Sequence, residues 1–342
     1  MKSILITGGA GFIGINSARY FASRGWTVTI VDNLSRRGGN DNLTWLRGNY
    51  SVRLEQLDVR NADAMTHVVA DVKPDVVLHL AAQVAVTSSV VNPREDFEIN
   101  ALGTFNVLEA VRLEKADTFF IYASTNKVYG KMEDVAVGER NGRYEYLDLP
   151  QGISETQPLD FHSPYGCSKG VADQYALDYH RIYDLRTVVM RQSCIYGTRQ
   201  FGIEDQGWVA WFTIAAVLGK ALTIYGDGKQ IRDVLHVDDL ARAYEAAIEN
   251  QADVSGQAFN LGGGAANTLS LRELLSHLER QLEIKIPYKT ADWRPGDQPV
   301  FVCDLAKAKR MLHWQPEISV HDGVSMLSDW VAANAKLFDW MK

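Results

Sequence analysis

Cysteine is scarce in this sequence: the 342 residues include three, Cys167, Cys194 and Cys303, with no C-x-x-C pair among them. Disulfide frameworks and zinc sites both need cysteines at short, regular spacings. The sequence therefore excludes a disulfide-stapled fold and offers no ligand set for zinc. We expect no metal cofactor and a protein that works in a reducing compartment.

Long apolar runs and an excess of positive charge are also missing. No stretch approaches the roughly 20 apolar residues of a membrane-spanning helix, and no cleavable signal is recognisable at the start. With 35 basic and 42 acidic residues the net charge is −7, so no basic field favours nucleic acid. We expect a cytoplasmic protein whose partner is neither a membrane nor a nucleic acid.

Short β-branched runs alternate with helical patterns through the first two-thirds of the chain. This alternation is typical of β-α-β units and predicts an α/β fold with a Rossmann-type doubly wound parallel sheet. The predicted strands are residues 3–7, 27–32, 52–56, 76–80, 119–123, 187–191 and 258–261. The predicted helices include residues 14–23, 101–113, 165–183 and 237–247.

The alternation is interrupted at two places. Residues 131–159 are polar and longer than a usual connection, which indicates a lid or a surface insertion. After Gly197 the pattern loosens, and we predict a smaller mixed α/β C-terminal lobe that binds the substrate. We assign residues 1–196 to the Rossmann domain, with 237–265 returning to it, and residues 197–236 and 266–342 to the smaller lobe.

A glycine-rich turn joins the first predicted strand to a helix. Gly8, Gly11 and Gly14 have G-x-x-G-x-x-G spacing, with Phe12 and Ile13 between the last two. Glycines at these places let the backbone approach a dinucleotide pyrophosphate, which lies on the N–H groups of the helix N-terminus. A bare turn without a ligand is the alternative, and the strand-turn-helix context makes it the weaker one.

Asp32 ends the second predicted strand, where a carboxylate can bind the adenosine ribose and repel a 2′-phosphate. It predicts NAD rather than NADP as the cofactor. Arg36 and Arg37 could accept a 2′-phosphate, but we interpret them as part of a solvated loop. His79, at an apolar strand end, is interpreted as a packed core histidine. Further candidate cofactor contacts at the strand ends are Asn33, Asp58, Val59, Leu80, Ala81 and Ala82.

Tyr165 and Lys169 form a Tyr-x-x-x-Lys pair, whose spacing of four puts both side chains on one face of a helix. A nearby ammonium stabilises a phenolate, so we expect Lys169 to lower the pKa of Tyr165 toward neutrality, as a general base requires. Thr125 follows the predicted strand 119–123 at its carboxyl end and is predicted to bridge Tyr165 and a sugar oxygen. Its neighbours Ser124 and Asn126 are candidate substrate contacts.

These motifs resemble the extended short-chain dehydrogenase/reductase family across essentially the whole chain. The matching segments are residues 8–14, 79–83, 100–106, 128–130, 165–169 and 294–297. The resemblance implies that Arg232 and Arg294 hold a substrate diphosphate, that Asp297 binds the nucleotide ribose, and that Asn100 belongs to the cofactor site. It also implies a homodimer, or a homotetramer, in which helices 101–113 and 165–183 pair between subunits.

One branch of that family, whose members invert C2 of a CDP-sugar, resembles the chain more closely. The similarity lies in residues 124–130, 159–169 and 200–211. Sugar-nucleotide 4,6-dehydratases carry Asp-Glu where this chain has Asn126 and Lys127, so an elimination lacks its acid and base. UDP-galactose 4-epimerases carry Asn where this chain has Cys194, which disfavours a UDP-hexose contact.

The function implied is an NAD-dependent epimerisation of a nucleotide sugar, a CDP-sugar by resemblance, through a transient keto-sugar. C2 as the reacting carbon follows from the resemblance alone. Two alternatives stay open at this stage. One is a related enzyme, either a UDP-sugar 4-epimerase or a net keto-reductase, and the other is a non-catalytic NAD-binding module.

Overall fold

The structure, a computed structural model, describes residues 2–114, 117–293 and 297–341. Its strands are β1 Ser3–Thr7, β2 Thr27–Val31, β3 Arg53–Glu55, β4 Val76–His79, β5 Phe119–Thr125, β6 Val137–Arg140, β7 Arg143–Tyr146, β8 Thr187–Gln192, β9 Cys194–Tyr196, β10 Leu222–Tyr225, β11 Ile231–His236, β12 Gln257–Leu261, β13 Thr268–Ser270, β14 Tyr288–Ala291 and β15 Val300–Phe301. Its α-helices are α1 Phe12–Ala22, α2 Gly39–Asn49, α3 Ala62–Val72, α4 Val86–Val91, α5 Pro93–Phe97, α6 Gly103–Glu114, α7 Ser163–Tyr183, α8 Trp208–Val217, α9 Val237–Glu249, α10 Gln251–Val254, α11 Leu271–Leu282, α12 Ala306–Met311 and α13 Val320–Ala333. A π-helical segment spans Glu98–Leu102, and 3₁₀ segments span Asn126–Tyr129 and Ala335–Met341.

Seven parallel strands form the main sheet, in the order β12-β8-β5-β4-β1-β2-β3. β1 pairs with β2 on one side and with β4 on the other, both in parallel register. The strand order therefore reverses direction between β1 and β4. In open α/β sheets this switch point opens a crevice at the carboxyl ends of the strands. The predicted Rossmann-type doubly wound sheet is confirmed.

Both faces of this sheet are buried, as a parallel sheet requires. Alternation along β1 sends Ile4 and Ile6 into one apolar layer, which Ile15 of α1 and Leu46 of α2 complete. Leu5 points into the opposite layer with residues of α3, α6 and α7. These side chains bury apolar surface on each face, and that burial fixes the positions of the strand ends.

Two late segments of the chain join the sheet domain. β12 pairs with β8 in parallel, with Phe259 opposite Met190. On α9, Tyr244 is fully buried, and its hydroxyl accepts a hydrogen bond from Gln192 Nε2 at 2.7 Å. The Tyr20 hydroxyl of α1 donates to a Glu245 carboxylate oxygen of the same helix at 2.6 Å.

The smaller lobe has its own core, formed by the apolar faces of α8, α11 and α13. β11 pairs with β13 in antiparallel fashion and with β15 and β9 in parallel, so this part is mixed. α11 begins with a capping box, in which Ser270 and Glu273 bond reciprocally to each other's backbone. None of the described helices combines the length and apolar character needed to cross a membrane.

The polar insertion contains the hairpin β6–β7, which packs on the smaller lobe. The Tyr144 hydroxyl donates to Asp227 Oδ2 at 2.8 Å, and the Tyr146 hydroxyl donates to the Val300 carbonyl at 3.2 Å. Ile153 is buried and forms a bridge with Cys303. The insertion is therefore a docked part of the lobe surface.

The tight turn before α1 gives a testable prediction. A Cβ on Gly14 would lie 2.2 Å from the Gly8 carbonyl oxygen, a backbone atom that cannot easily shift, whereas a Cβ on Gly48 of α2 would meet nothing within 4 Å. Gly14→Ala should lower the free energy of unfolding by about 1–3 kcal/mol or more. Gly48→Ala, the control, should be neutral or stabilising by up to about 1 kcal/mol. Urea denaturation measures both, and equal effects would contradict the packing argument.

Candidate active site

A cleft of about 900 Å³ runs along the carboxyl ends of the sheet strands and continues under the smaller lobe. The glycine turn and the ends of β2 to β5 line one part of it. Residues from β9, α8 and β11 of the lobe side line the other. The volume lies within the range of small-molecule sites, and the cleft occupies the switch point of the sheet.

The glycine turn shapes the cleft wall nearest to α1. Gly8 has a φ of +68°, and its N–H donates to the Val31 carbonyl at 2.7 Å. A Cβ on Gly8 would lie 2.8 Å from the Ala81 backbone nitrogen. Gly11 caps α1, whose first turn has neither a side-chain cap nor an acidic residue. The N–H groups at the start of α1 and the dipole of that helix suit an anion such as a pyrophosphate. Phe12 and Ile13 line the cleft beside the start of α1.

The carboxylates of Asp32 and Asp58 line the end of the cleft that lies beyond the glycine turn. Asp32 accepts hydrogen bonds from the backbone N–H groups of Ala10 at 3.0 Å and Leu34 at 2.8 Å, which fixes its orientation. Asn33 Nδ2 donates to Asp58 Oδ2 at 3.0 Å, so the structure brings these predicted residues together. Arg60 hydrogen-bonds Asp58 and lowers the pKa of its carboxyl to about 2, which keeps it ionised. Val59 also lines this end.

Leu80, Ala81 and Ala82, which the sequence makes candidate cofactor contacts, line the cleft. The N–H groups of the first two donate to Thr7 Oγ1, each at 3.2 Å. Thr7 Oγ1 in turn contacts His79 Nδ1 at 2.7 Å. Burial lowers the pKa of His79 to about 3, so its ring is neutral. The interpretation of His79 as a packed core residue is confirmed.

Asn100 is placed behind the cleft wall. It is 1% exposed, its Oδ1 accepts from the Gln83 N–H at 2.8 Å, and its Nδ2 donates to Ser168 Oγ at 3.1 Å. The structure does not bring Asn100 into the cleft with the other candidate cofactor contacts. It instead fixes Gln83, which does line the cleft.

Thr125, Tyr165 and Lys169 converge at the centre of the cleft. Tyr165 and Lys169 lie one turn apart on α7, and Thr125 ends β5. The Thr125 hydroxyl is hydrogen-bonded to the Tyr165 phenol, and Lys169 Nζ donates to the Ala123 carbonyl at 2.6 Å. A phenol, a hydroxyl and an ammonium that line the same cleft can exchange a proton with a substrate hydroxyl.

Burial sets the proton affinities of this group. It raises the pKa of Tyr165 to about 12, with the Thr125 hydrogen bond opposing the rise. It lowers the pKa of Lys169 to about 7, with the Asp173 and Asp96 carboxylates opposing the fall. The expectation that Lys169 lowers the pKa of Tyr165 toward neutrality is therefore wrong for the protein alone. Desolvation disfavours the charged form of both groups and is the largest cause of each shift.

A buried ion pair, which the sequence motifs do not reveal, supports the catalytic strand and helix from behind. Asp173 is fully buried and accepts from Arg191 Nη2 at 2.9 Å and from Ser124 Oγ at 2.7 Å. Ser124 therefore binds Asp173 while it lines the cleft. Asp173 follows Lys169 by four residues, so the Tyr-x-x-x-Lys spacing continued by one turn would have located it.

The lobe side of the cleft holds the other candidate substrate contacts. Arg232 Nη2 pairs with Asp297 Oδ1 at 2.7 Å, and both residues line the cleft together with Asn126. The prediction for Arg294 lies outside the described residues. The structure thus pairs a cation and a carboxylate with each other in the part of the cleft that the smaller lobe lines.

The two arginines predicted to lie in a solvated loop are exposed and lie in the loop between β2 and α2, which confirms that interpretation. They also contact residues far away in the sequence. Arg36 Nη1 donates to Gln206 Oε1 at 2.8 Å, and its Nη2 donates to the Ala82 carbonyl at 3.3 Å. Arg37 stacks on the Trp340 ring, with 4.3 Å between its guanidinium carbon and the ring centroid.

Comparison with known proteins agrees with this geometry. A family model described as GDP-mannose 4,6 dehydratase matches residues 5–327. The chain is a member of the extended short-chain dehydrogenase/reductase family. It is 47% identical over 335 residues to the CDP-paratose 2-epimerase of Salmonella typhi, covering 96% of this chain and 99% of that protein.

Solved structures show the same family fold. A dTDP-glucose 4,6-dehydratase from Streptomyces venezuelae, solved with NAD and TYD bound, has a TM-score of 0.85 and 26% identity, covering 99% of this chain and 100% of that one. A UDP-glucose 4-epimerase from Thermotoga maritima, solved with UDP-glucose, has a TM-score of 0.83 and 29% identity, covering 97% and 99%. The family includes both epimerases and dehydratases, so the site residues must distinguish the reactions.

The ion pair behind the site can be tested by removing one charge. Asp173→Asn leaves Arg191 buried without its carboxylate, so we expect a loss of about 3–5 kcal/mol in the free energy of unfolding. Asp178→Asn on the same helix is the control, because its 3.7 Å pair with Arg181 is exposed. Asp178→Asn should lower the free energy of unfolding by less than about 1 kcal/mol. Thermal and urea unfolding measure the difference, and similar losses for the two variants would contradict the role given to Asp173.

Proposed function

We propose that the protein is an NAD-dependent nucleotide-sugar epimerase that inverts C2 of a CDP-sugar, of the CDP-paratose to CDP-tyvelose type. The observation that carries this is the Thr125–Tyr165–Lys169 group, placed between the glycine turn and the Arg232–Asp297 pair. The 47% identity to a CDP-paratose 2-epimerase over nearly the whole chain supports the substrate class.

The cleft residues fit NAD. The close approach of the backbone at Gly8 and Gly14 and the uncapped start of α1 suit its pyrophosphate, and Asp32 suits a ribose hydroxyl. Asn33 and Asp58 suit the adenosine end, while Leu80, Ala81 and Ala82 suit the middle of the molecule. When bound, NAD supplies an acceptor that takes a hydride from the sugar carbon and later returns it.

In the proposed reaction the chain's own residues manage one proton. Tyr165, as a phenolate, takes the proton of the sugar hydroxyl as the carbon is oxidised, and the phenol so formed returns it after the keto-sugar has presented its other face. Thr125, bonded to that phenol, orients the hydroxyl or relays the proton. Lys169, when charged, stabilises the phenolate. A diphosphate held by Arg232, and by Arg294 under the same proposal, leaves the ring free to turn.

Epimerisation is favoured over elimination by the residues beside Thr125. Removal of a sugar hydroxyl needs an acid and a base at the reacting face. Asn126 and Lys127 line the cleft there, where the dehydratase branch carries Asp-Glu. The amide and the ammonium supply no carboxyl group for an elimination, so the keto-sugar is retained and reduced again.

The substrate class is tested by proton NMR of the purified protein without added cofactor. It is incubated separately with CDP-paratose, CDP-glucose and UDP-glucose. Inversion at C2 of a CDP-sugar is the expected outcome and would also show that NAD co-purifies. Conversion of UDP-glucose to UDP-galactose would move the chain to the 4-epimerase branch. Activity that needs added NADH or NADPH would indicate a net reductase, and silence on all three substrates would overturn the substrate assignment.

Removal of the Tyr165 hydroxyl tests the catalytic group. Tyr165→Phe should lower kcat by about 10²–10⁴-fold, because the substrate hydroxyl loses its proton acceptor. Tyr288→Phe, in an exposed position on β14, is the control and should retain full activity. Bound NAD and the melting temperature should be unchanged in both variants. Unchanged activity of Tyr165→Phe would instead favour a binding module.

We further propose that the protein is a cytoplasmic homodimer, or a homotetramer built from such dimers. Exposed apolar side chains follow the outer faces of α6 and α7: Phe105, Leu113, Tyr175, Ile182 and Tyr183. Such a contiguous apolar surface favours association with a second copy. The three cysteines of the chain are free thiols, which suits the reducing environment of the cytoplasm.

Placing a charge on this surface tests the assembly. Ile182 is 65% exposed, and Ile182→Asp should shift the protein to monomers in size-exclusion chromatography with light scattering, because the charge would be buried between subunits. Ile284, 40% exposed at the end of α11, provides the control substitution Ile284→Asp. A wild-type protein that is monomeric, or an Ile182→Asp variant that keeps its mass, would rule out this interface.

A further inference from the structure

Lys127 lies in the cleft between the catalytic group and the Arg232–Asp297 pair, and the proposed reaction gives it no role. It follows Thr125 by two residues, on the 3₁₀ segment Asn126–Tyr129. The acceptor that its ammonium reaches is a neutral amide oxygen, Gln298 Oε1, at 3.3 Å. Gln298 is itself fixed, because its amide nitrogen donates to the Gly130 carbonyl.

The charges around this lysine do not balance within the protein. Lys127 and Arg232 repel each other electrostatically, and Asp297 attracts Lys127. Asp297 is already paired with Arg232 at 2.7 Å. Among the described residues, two cations therefore share one carboxylate at this place. Burial and the Arg232 charge lower the pKa of Lys127 to about 8, so its ammonium gains from an added anion.

We propose that Lys127 binds the sugar-side phosphate of the substrate diphosphate, beside Arg232. The proposal rests on the proposed function, because it takes a nucleoside diphosphate sugar as the ligand. It goes further by giving this chain a phosphate contact at the reacting end of the cleft.

The proposal is tested by titrating the NAD-containing protein with CDP and with CMP in a calorimeter. CDP carries both phosphates and CMP lacks the sugar-side one. Lys127→Gln should weaken CDP binding by about 10- to 100-fold, the usual effect of losing a charge-assisted hydrogen bond. CMP binding should change by less than about 3-fold. Lys127→Met removes the charge with a side chain of similar length and should behave alike.

Lys131→Gln is the matched control, because Lys131 lies four residues further along and its side chain is 54% exposed in a pair with Glu133. Both nucleotides should bind this variant as they bind the wild type. Equal losses for CDP and CMP in the Lys127 variants, or no loss for either, would overturn the proposal.

The outcome can be separated from that of the proposed function. If no CDP-sugar is epimerised but Lys127→Gln still weakens CDP relative to CMP, the function fails and the phosphate contact stands. If CDP-paratose is epimerised and the CDP-to-CMP preference of Lys127→Gln equals that of the wild type, the function stands and the proposal for Lys127 fails.

Discussion

Parallel pairing of seven strands is the constraint on which the rest of the structure depends. Because every strand of the main sheet points the same way, the carboxyl ends of its strands all lie at one edge. The spatial order of the strands reverses between β1 and β4. Helices must then cover both faces, which leaves that edge as the open side of the domain. The glycine turn, the Asp32 and Asp58 carboxylates and Thr125 all lie there for this reason.

Burial of charge is the second physical theme of the site. Asp173 and Arg191 are enclosed and neutralise each other, while Lys169 and Lys127 are enclosed without a close carboxylate partner among the described residues. Burial lowers the pKa of both lysines, to about 7 and about 8. Such groups are poised to respond to a ligand, because a bound anion or phenolate restores the charged form. The protein therefore has fixed charges behind its cleft and adjustable ones inside it.

Much of the fold and the centre of the site could be predicted from the sequence, since strand alternation and i,i+4 spacing are local properties. The predicted strand 119–123 stops two residues short of the observed end of β5. Ser124 and Thr125, which we interpret as cleft residues, also belong to that strand. Long-range contacts could not be predicted. Arg36 finds Gln206, 170 residues away, and a motif match did not reveal that Asn100 faces inward. The rise in the pKa of Tyr165 could not be predicted from the Tyr-x-x-x-Lys spacing, because desolvation is the summed effect of many neighbours and not of one lysine.

The central claim is that the sugar carbon exchanges a hydride with a cofactor that stays bound, while Tyr165 handles only the hydroxyl proton. The most direct test is CDP-paratose deuterated at C2, incubated with the purified protein in ordinary water and followed by NMR and mass spectrometry. We expect a 2-epimer that keeps its deuterium at C2. Replacement of that deuterium by solvent hydrogen would mean that the carbon is deprotonated, and would rule out hydride exchange with a bound cofactor.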